Sequence, residues 1–556
     1  MSLFLDIDST VYTHPLHIYQ KKILNFLSPL KTLALEVGRH WLTKGRDFVI
    51  NPTPVKKLET ALANSKTFEE WAQIAYTLDQ ILGKDLWRQN PTSSHYDYKL
   101  IAEKLRNLID ARVDGDVQTL IYILRSGLFR NLGNVSIKEL FNKSFCGTKV
   151  LIEEYVQETC DALTFINNLH GPDLSAQAQL DFFHDTRQGF GLTAVVLHGG
   201  AMFGVFHLGV VKALYSRGLL PRIVTGTAVG AVVASLICIH TDQELPEFLT
   251  SGGIDLTAFQ KRSRAGAFHR KVKRFLQEGK IGRGTDAYNR TRRVLNITVS
   301  STGKHQVPTL LNFLTAPNVL IRSAASASNA LSGLYEQSDL LCKDELGNIV
   351  PWCPAGEIKW RNWTEANLSE DESPYTRISE LFNVNHFIVS QAWPYLAPFI
   401  SPDIYQSDHP GKMAAAQNKI TRLLTMEVQH RVSQLDTLGL LPSATRRFLL
   451  DDTIPGEKVT LVPNITLKVV FFQIRANAQD FQQLFENPTR ESIDYWILKG
   501  EQSTWPAIAL IRARLAIELT LDTLYTDLRA APPIQETPFY GSSPSRQPRK
   551  RGASLS

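Results

Sequence analysis

The fold is decided by Leu197-His198-Gly199-Gly200-Ala201 and by Gly226-Thr227-Ala228-Val229-Gly230. An apolar run rich in β-branched residues precedes each stretch, at residues 194–197 and 223–225, and an apolar helical pattern follows each. The sequence therefore predicts a strand, a tight glycine turn and a helix twice in succession.

The second turn has the form of a nucleophile elbow, Gly-x-Ser-x-Gly, with Ala228 where the pattern has serine. A strand that reverses sharply into a helix strains the backbone of the residue at its apex. Gly226 and Gly230 flank that residue because larger side chains would collide there. The predicted elbow keeps its shape, but Ala228 lacks the hydroxyl that nucleophilic chemistry requires.

The first turn supplies the backbone N–H groups of Gly199, Gly200 and Ala201, which can hold a developing oxyanion. Taken singly, each glycine turn also fits a nucleotide-binding unit or ordinary helix packing. A dinucleotide site requires Gly-x-Gly-x-x-Gly and an acidic residue about 20 positions later. The glycine spacing differs here and residues 219–225 contain no acid, so the sequence favours the hydrolase interpretation.

Residues 198–204, 207–210 and 226–230 resemble the patatin-like phospholipase family. Residues 381–391 read Leu-Phe-Asn-Val-Asn-His-Phe-Ile-Val-Ser-Gln. This string is similar to the branch of the family that contains the fungal and plant triacylglycerol lipases of lipid droplets. The resemblance therefore rests on the two turns, on the helix between them and on a long string downstream.

The resemblance covers the chain from about residue 71 to about residue 521, and residues 373–377 and 501–507 are most similar to one yeast member of the branch. It implies an α/β fold, a three-layer sandwich around a mostly parallel sheet that is preceded by a helical domain. It also implies ester hydrolysis by a Ser–Asp dyad. The expected substrates are acylglycerols or lysophospholipids at the surface of a lipid droplet or membrane. No cofactor, metal or nucleic-acid partner is expected, and the oligomeric state is left open.

In related lipases the dyad aspartate, which accepts the serine proton, stands in an Asp-Gly pair after a Trp-Arg pair. Here Trp360-Arg361 is followed by Asn362, which has the shape of aspartate but cannot accept a proton at neutral pH. Asn362 is therefore the candidate position of the dyad acid. Asp371 and Glu365 are nearby carboxylates that loop movement can bring in, although exposed loop acids are the simpler interpretation.

The composition of the 556 residues is that of an ordinary globular protein, with 43% hydrophobic and 21% charged residues. The net charge of +6 suits an anionic phospholipid surface and is too small to indicate nucleic-acid binding. The five cysteines lack zinc spacing, which favours reduced thiols in the cytosol.

No signal peptide is expected at the start of the sequence, since acidic Asp6 follows almost at once. Two uncharged stretches, residues 192–211 and 223–239, contain the glycine turns and are interpreted as buried core rather than membrane spans. Membrane contact is therefore predicted to be peripheral. The expected location is the lipid droplet together with the cytoplasmic or endoplasmic reticulum membrane surface.

Five regions are predicted along the chain. Residues 1–50 form an amphipathic segment that either lies on a lipid surface or packs on the domain behind it. Residues 51–190 form the helical domain, and residues 191–405 the patatin-like core. Residues 406–529 form an extension that packs on the core, and residues 530–556 a disordered basic tail.

Several local features are also predicted. Strands are expected at residues 295–299 and 459–463, and a helix rich in small residues at 320–331 is expected to pack on the sheet. Asp114-Gly115-Asp116 is interpreted as a turn. The apolar helix at residues 507–524 either closes the core or touches lipid, and the core is favoured. The basic stretch at residues 251–293 is either a solvated helix face or a lid for phospholipid headgroups.

Three hypotheses about function remain open, and whether the chain is an active enzyme is not decided. The first is a patatin-type lipase in which an engineered alanine replaces the nucleophilic serine at position 228. The second is a natural pseudo-lipase that binds lipid droplets or regulates other proteins there. The third is a lysophospholipid acyltransferase, which is disfavoured because the His-x-x-x-x-Asp box is absent. His430 comes nearest to that box, but Asp436 lies one residue too far.

Overall fold

A computed structural model gives the fold of the chain. It describes residues 54–169, 174–199, 204–250, 282–301, 308–330, 339–352, 360–362, 373–392, 434, 457–461 and 489–530. The predicted N-terminal segment at 1–50 and residues 531–556 of the tail predicted at 530–556 lie outside these residues, whereas Ala530 is the last residue of a helix. The same holds for residues 251–281 of the basic stretch and for most of residues 406–488. The five predicted regions therefore stay predictions.

The chain divides into two compact units, Met1–Lys84 and Asp85–Ser556. In the first unit, helix α1 spans Pro54–Asn64 and helix α2 spans Phe68–Ile81. Thr67 caps α2, since its side chain accepts a hydrogen bond from the N–H of Glu70. Helix α2 buries Trp71, Ala75 and Leu78 on one face, which is the spacing of an amphipathic helix.

The second unit begins with a series of helices, as the sequence predicted. They are α3 (Lys84–Gln89), α4 (Tyr98–Val113), α5 (Val117–Gly127), α6 (Val150–Asn168) and α7 (Ala176–Phe190). Between α4 and α5 the predicted turn is confirmed. Gly115 adopts a positive φ of 70°, and the Asp116 side chain accepts a hydrogen bond from the N–H of Thr119 to cap α5.

A mostly parallel sheet follows the helices, which confirms the predicted α/β fold. Its described strands are β1 (Leu192–His198), β2 (Ile223–Thr227), β3 (Val294–Ser301), β4 (Pro308–Leu311), β7 (Trp360–Asn362), β8 (Val384–Gln391) and β9 (Glu457–Leu461). A separate hairpin consists of β5 (Leu341–Lys343) and β6 (Ile349–Pro351). The order in the sheet is β4-β3-β2-β1-β8-β9. Strands β4 and β7 run antiparallel to β3, and the other pairs are parallel.

The remaining described helices cover or flank this sheet. They are α8 (Phe206–Ser216), α9 (Val229–Ile239), α10 (Leu245–Phe248), α11 (Gly284–Thr291), α12 (Ile321–Ser328), α13 (Pro374–Phe382), α14 (Arg490–Thr504) and α15 (Ile508–Ala530). The predicted strands at residues 295–299 and 459–463 correspond to β3 and β9. The predicted helix of small residues corresponds to α12.

Helices lie on both faces of the sheet. On one face, Tyr375 and Ile378 of α13 pack against Ala194, Val196 and Phe387 in a buried cluster. Gly226 and Leu197 belong to the other face, since side chains alternate along a strand. The start of α9 lies against these two residues. The arrangement is therefore helix, sheet, helix, as a three-layer sandwich requires.

The helix predicted at residues 507–524 belongs to the core, which confirms the favoured alternative. Helix α15 buries apolar side chains along its length, including Ile508, Ile511, Leu515 and Leu521. Among the described residues, no helix combines the length and the apolar character needed to cross a membrane.

Helices α8 and α14 cross at two glycines. A Cβ atom added to Gly209 of α8 would overlap the carbonyl oxygen of Ile497, and one added to Gly500 of α14 would overlap that of Phe206. The two backbones are therefore in direct contact. Close to this crossing, Lys212 pairs with Glu501 at 2.5 Å between Nζ and Oε1. The helix that follows the first glycine turn is thus supported by a segment almost 300 residues later.

Gly500→Ala is expected to lower the free energy of unfolding by about 1–3 kcal/mol, because the new methyl group must push two backbones apart. Gly189→Ala is the matched control. Gly189 lies in α7 with nothing within 4 Å of an added Cβ atom. This control is expected to raise stability by about 0.5–1 kcal/mol through helix propensity. Urea denaturation gives the free energy of unfolding of both variants. Equal changes in the two would contradict the close contact between α8 and α14.

A buried ion pair lies at the amino ends of the central strands. Arg130 Nη1 is 3.0 Å from Glu518 Oε2, and both side chains are about 95% buried. The N–H of Thr193 in β1 donates to Glu518 Oε1 at 2.7 Å, and its hydroxyl donates to Glu518 Oε2. Arg130 also donates to the carbonyl oxygens of Arg514 and Gly191. The helical region, strand β1 and helix α15 are therefore joined by one hydrogen-bonded carboxylate.

A second arginine extends the network. The Arg514 guanidinium donates twice to the carbonyl oxygen of Ser136 and lies 3.3 Å from His386 Nε2 in β8. On its other side, His386 Nδ1 is 3.1 Å from the hydroxyl of Thr193. Burial and the two arginines lower the pKa of His386 well below its usual range, so its ring is neutral. The network thus spans β1, β8 and both flanking helical regions.

Glu518→Gln is expected to lower the free energy of unfolding by about 3–5 kcal/mol, because it leaves Arg130 buried without its counter-charge. Asp185→Asn is the matched control. Asp185 pairs with Arg125, and both side chains are about half exposed. Such exposed pairs contribute about 0–1 kcal/mol. Denaturation with urea measures both variants. Equal losses of stability in Glu518→Gln and Asp185→Asn would contradict the structural role of Glu518.

Candidate functional site

The turn between β2 and α9 has the backbone of a nucleophile elbow. Ala228 adopts φ 55° and ψ −125°, a conformation that residues with a Cβ atom rarely hold. A Cβ atom on Gly226 would overlap the carbonyl oxygen of Gly230, and one on Gly230 would overlap that of Leu197. Glycine is therefore required at both flanking positions, for the reason that the sequence suggested.

The two glycine turns meet at the carboxyl ends of adjacent strands. His198 of β1 and Thr227 of β2 are register partners, and the N–H of Gly199 donates to the carbonyl oxygen of Thr227 at 3.3 Å. Gly199 has a positive φ of 64°. A Cβ atom on Gly204 would overlap the side chain of Val229. Gly200 and Ala201 lie outside the described residues, so their role as oxyanion donors stays a prediction.

His207 stabilises the first turn through hydrogen bonds of both its ring nitrogens. Its Nε2 is 3.3 Å from the carbonyl oxygen of Gly199, and its Nδ1 is 2.8 Å from the hydroxyl oxygen of Ser390 in β8. A carbonyl oxygen only accepts, so Nε2 carries the proton and Nδ1 accepts from Ser390. Burial lowers the pKa of His207 to about 3, so the ring is neutral at physiological pH. A neutral histidine therefore holds the Gly199 carbonyl in place.

One signal for this role is present in the sequence. His207 lies in the first turn of α8, where Phe206, Leu208 and Val210 are apolar and buried. A polar ring at such a position needs hydrogen-bond partners. Ser390 lies 183 residues away in the chain, and no local pattern reveals that pairing.

His207→Gln is expected to reduce the loss of stability on acidification. The folded state keeps His207 neutral, so the unfolded state binds more protons below pH 6.5 and stability falls as the pH drops from 6.5 towards 3. Between pH 7 and pH 5 this histidine accounts for a loss of about 2 kcal/mol. Urea denaturation at pH 7 and pH 5 measures the loss of stability in each protein. The loss in His207→Gln should be about 2 kcal/mol smaller than in the unmodified chain. His184→Gln, at a half-exposed site, is the control, and an equal effect there would contradict the account.

The candidate acids of the dyad are only partly described. Strand β7 places Asn362 opposite Val299, at the carboxyl end of β3. The side chain of Asn362 lies outside the described part of the structure, as do Glu365 and Asp371. Their assignment as dyad acids therefore stays a prediction.

The end of α12 touches the elbow, which the sequence did not predict. The hydroxyl of Ser328 accepts a hydrogen bond from the N–H of Ala228 at 3.0 Å. The side-chain amide of Asn329 donates to the carbonyl oxygen of Ala228 at 2.9 Å. Ser323, Ser326 and Ser328 all lie in this helix, and none of them has the flanking glycines of an elbow.

No group of three histidine, cysteine or acidic side chains that could hold a metal ion occurs within the described ranges. The groups that contact the two turns there are backbone amides, hydroxyls, a carboxamide and a neutral imidazole. These side chains orient the backbone at Gly199 and Ala228. Position 228 itself has no hydroxyl.

Two family matches cover most of this architecture. Residues 195–356 match the family described as patatin-like phospholipase, and residues 49–188 match a domain of unknown function, DUF3336. The helical region before the sheet therefore corresponds to the second match, DUF3336. The patatin match ends before β8, although β8 lies beside β1 in the centre of the sheet. The sheet therefore extends beyond the matched segment.

Curated proteins resemble the chain over most of its length. Triacylglycerol lipase ptl1 of Schizosaccharomyces pombe is 35% identical, covering 83% of this chain and 84% of that protein. Triacylglycerol lipase SDP1L of Arabidopsis thaliana is also 35% identical, but the match covers only 57% of its length. Triacylglycerol lipase 3 of Saccharomyces cerevisiae, the yeast member that residues 373–377 and 501–507 resemble, is 29% identical over 86% of this chain and 89% of that protein.

Proposed function

Because this chain belongs to the family of patatin-like triacylglycerol lipases, we propose that it binds acylglycerols at the elbow. We propose further that the chain, with Ala228 in place of a nucleophile, does not hydrolyse them at a measurable rate. The conformation of Ala228 carries this proposal. Its backbone has the strained geometry of a nucleophile elbow, but its side chain has no hydroxyl to act as the nucleophile.

The chemistry of the family explains the second part of the proposal. A serine at the apex gives its proton to the dyad carboxylate and attacks the ester carbonyl, while backbone N–H groups hold the oxyanion. The alcohol leaves with that proton as the acyl-enzyme forms, and water then releases the fatty acid. An alanine methyl group cannot form that bond. In a well-studied serine hydrolase, removal of the nucleophile or of its base lowers turnover roughly a million-fold. Here the residue at 228 is alanine, and the candidate acid position holds Asn362.

The substrate class follows from the names of the relatives and from solubility. Several relatives are named triacylglycerol lipases, and triacylglycerols are insoluble in water, so they are met at a lipid surface. A net charge of +6 favours contact with the anionic phospholipids that coat such a surface. We therefore propose that this binding takes place at lipid droplets or at the adjoining membrane surface, by peripheral contact.

A regulatory role is the second candidate. The loss of the hydroxyl at 228, together with asparagine at 362, favours a natural pseudo-lipase that occupies or reports on acylglycerol at a droplet. A lipase that has lost only its nucleophile would regain hydrolysis when serine alone is restored. A pseudo-lipase would need both positions changed, or would not recover.

The Ala228→Ser, Asn362→Asp double variant is expected to hydrolyse emulsified triolein roughly a thousandfold or more faster than the Ala228→Gly, Asn362→Asp control. The control keeps the turn and the new carboxylate but has no nucleophile. Released oleate is measured for these two variants, for Ala228→Ser alone and for the unmodified chain. Lysophosphatidylcholine is assayed in parallel to decide between the two substrate classes.

The unmodified chain is expected to release no more oleate than the control and to float with triolein droplets in a sucrose gradient. Hydrolysis by the unmodified chain would contradict the proposal. A folded double variant that hydrolyses neither lipid would favour the pseudo-lipase over a lipase that has lost its nucleophile. Activity of Ala228→Ser alone would assign the base to a carboxylate other than position 362.

A further inference from the structure

The carboxyl end of α12 holds the Ala228 residue from both sides. We infer that Ser328 and Asn329 are positioning residues that fix the elbow for whichever side chain stands at 228. The kinetic meaning of this inference rests on the proposed function, whereas its structural content does not.

Ser328 uses its hydroxyl fully. The oxygen accepts from the N–H of Ala228 at 3.0 Å, and the hydroxyl proton is donated to the carbonyl oxygen of Thr298 in β3 at 2.9 Å. The side chain is completely buried. Because its only proton is engaged and solvent does not reach it, Ser328 cannot serve as a nucleophile without breaking both bonds. It instead links the start of the elbow to the neighbouring strand.

Asn329 fixes the other side of the residue. Its Nδ2 donates to the carbonyl oxygen of Ala228 and to that of Ala325, each at 2.9 Å. Both amide protons are therefore used, one for the elbow and one for the last turn of α12. An aspartate would place a carboxylate oxygen against the Ala228 carbonyl, so the position requires a donor.

These two bonds determine the directions that catalysis depends on. In a planar trans peptide the N–H points away from the carbonyl oxygen. Since Asn329 binds the carbonyl of Ala228, the N–H of Val229 points to the opposite side of the peptide. In elbow hydrolases the N–H of the residue after the nucleophile is an oxyanion donor. Ser328 and Asn329 thus orient both the Cβ atom of residue 228 and this donor.

The same helix offers a matched control. Ser326 is also buried in α12, and its hydroxyl has no hydrogen-bond partner among the residues that the structure describes. Ser326→Ala therefore removes the same atom from the same helix without touching Ala228. Any effect of Ser328→Ala that exceeds it comes from the bonds to Ala228 and Thr298.

The kinetic test uses the Ala228→Ser, Asn362→Asp background. Adding Ser328→Ala, or separately Asn329→Ala, is expected to lower kcat about a hundredfold, since a small displacement of reacting groups has effects of that size. KM is expected to stay unchanged, because the lipid still binds. Adding Ser326→Ala should change neither constant. Equal kcat values for the Ser328 and Ser326 variants would overturn the inference.

A second test needs no hydrolysis. In the unmodified chain, Ala228→Gly is expected to raise the melting temperature by roughly 2 °C, because glycine adopts the positive φ without strain. With Ser328→Ala present, the peptide can relax, so the gain should shrink. With Ser326→Ala present, the gain should persist.

Equal gains in all three backgrounds would overturn the inference. This result stands even if the double variant hydrolyses no lipid. A failure of the proposed function is therefore distinguished from a failure of the inference.

Discussion

The peptide at Ala228 is the constraint on which the rest of the site depends. Strand β2 ends just before Ala228 and helix α9 begins just after it. The positive φ of 55° at Ala228 allows the chain to reverse direction there. Such a conformation persists only when its surroundings leave no alternative. The surroundings here are two flanking glycines in contact with backbone, and two side chains of α12 that bind the N–H and the C=O. The shape of the elbow is therefore independent of a catalytic hydroxyl.

The two ends of the sheet are stabilised in different ways. At the amino ends of the strands, buried Arg130, Glu518 and Arg514 tie the helical region and α15 to β1 and β8. At the carboxyl ends, the glycine turns are held by the uncharged side chains of Ser328, Asn329 and a neutral His207. The buried charges of this network thus lie at the end of the strands opposite to the glycine turns.

Strand β8 connects these two ends. His386 near its start contacts Arg514, and Ser390 near its finish supports His207. Helix α8, which carries His207, rests on α14 through Gly209 and Gly500. The segments after residue 356, beyond the patatin match, therefore help to position the first turn. Ser390, which donates to His207 Nδ1, lies outside residues 195–356 of that match.

The sequence predicted those features that local patterns encode. The glycine spacing predicted the elbow, and apolar runs predicted β3, β9 and α12. Hydrogen bonds between distant segments were not predictable in this way. The bond from Ser328 to Ala228 joins residues 100 positions apart, and that from Ser390 to His207 joins residues 183 apart. The sequence does not distinguish two serines in a helix of small residues. Ser328 binds the elbow, whereas the hydroxyl of Ser326 has no hydrogen-bond partner among the described residues.

The central claim is that position 228 is still a nucleophile elbow. It is tested most directly by treating the Ala228→Ser, Asn362→Asp variant with a long-chain alkylphosphonate p-nitrophenyl ester and mapping the adduct by mass spectrometry. The account predicts a single adduct, on the peptide that contains position 228, and none on the matching Ala228→Gly variant. A folded protein without an adduct, or one modified at Ser328 instead, would contradict it.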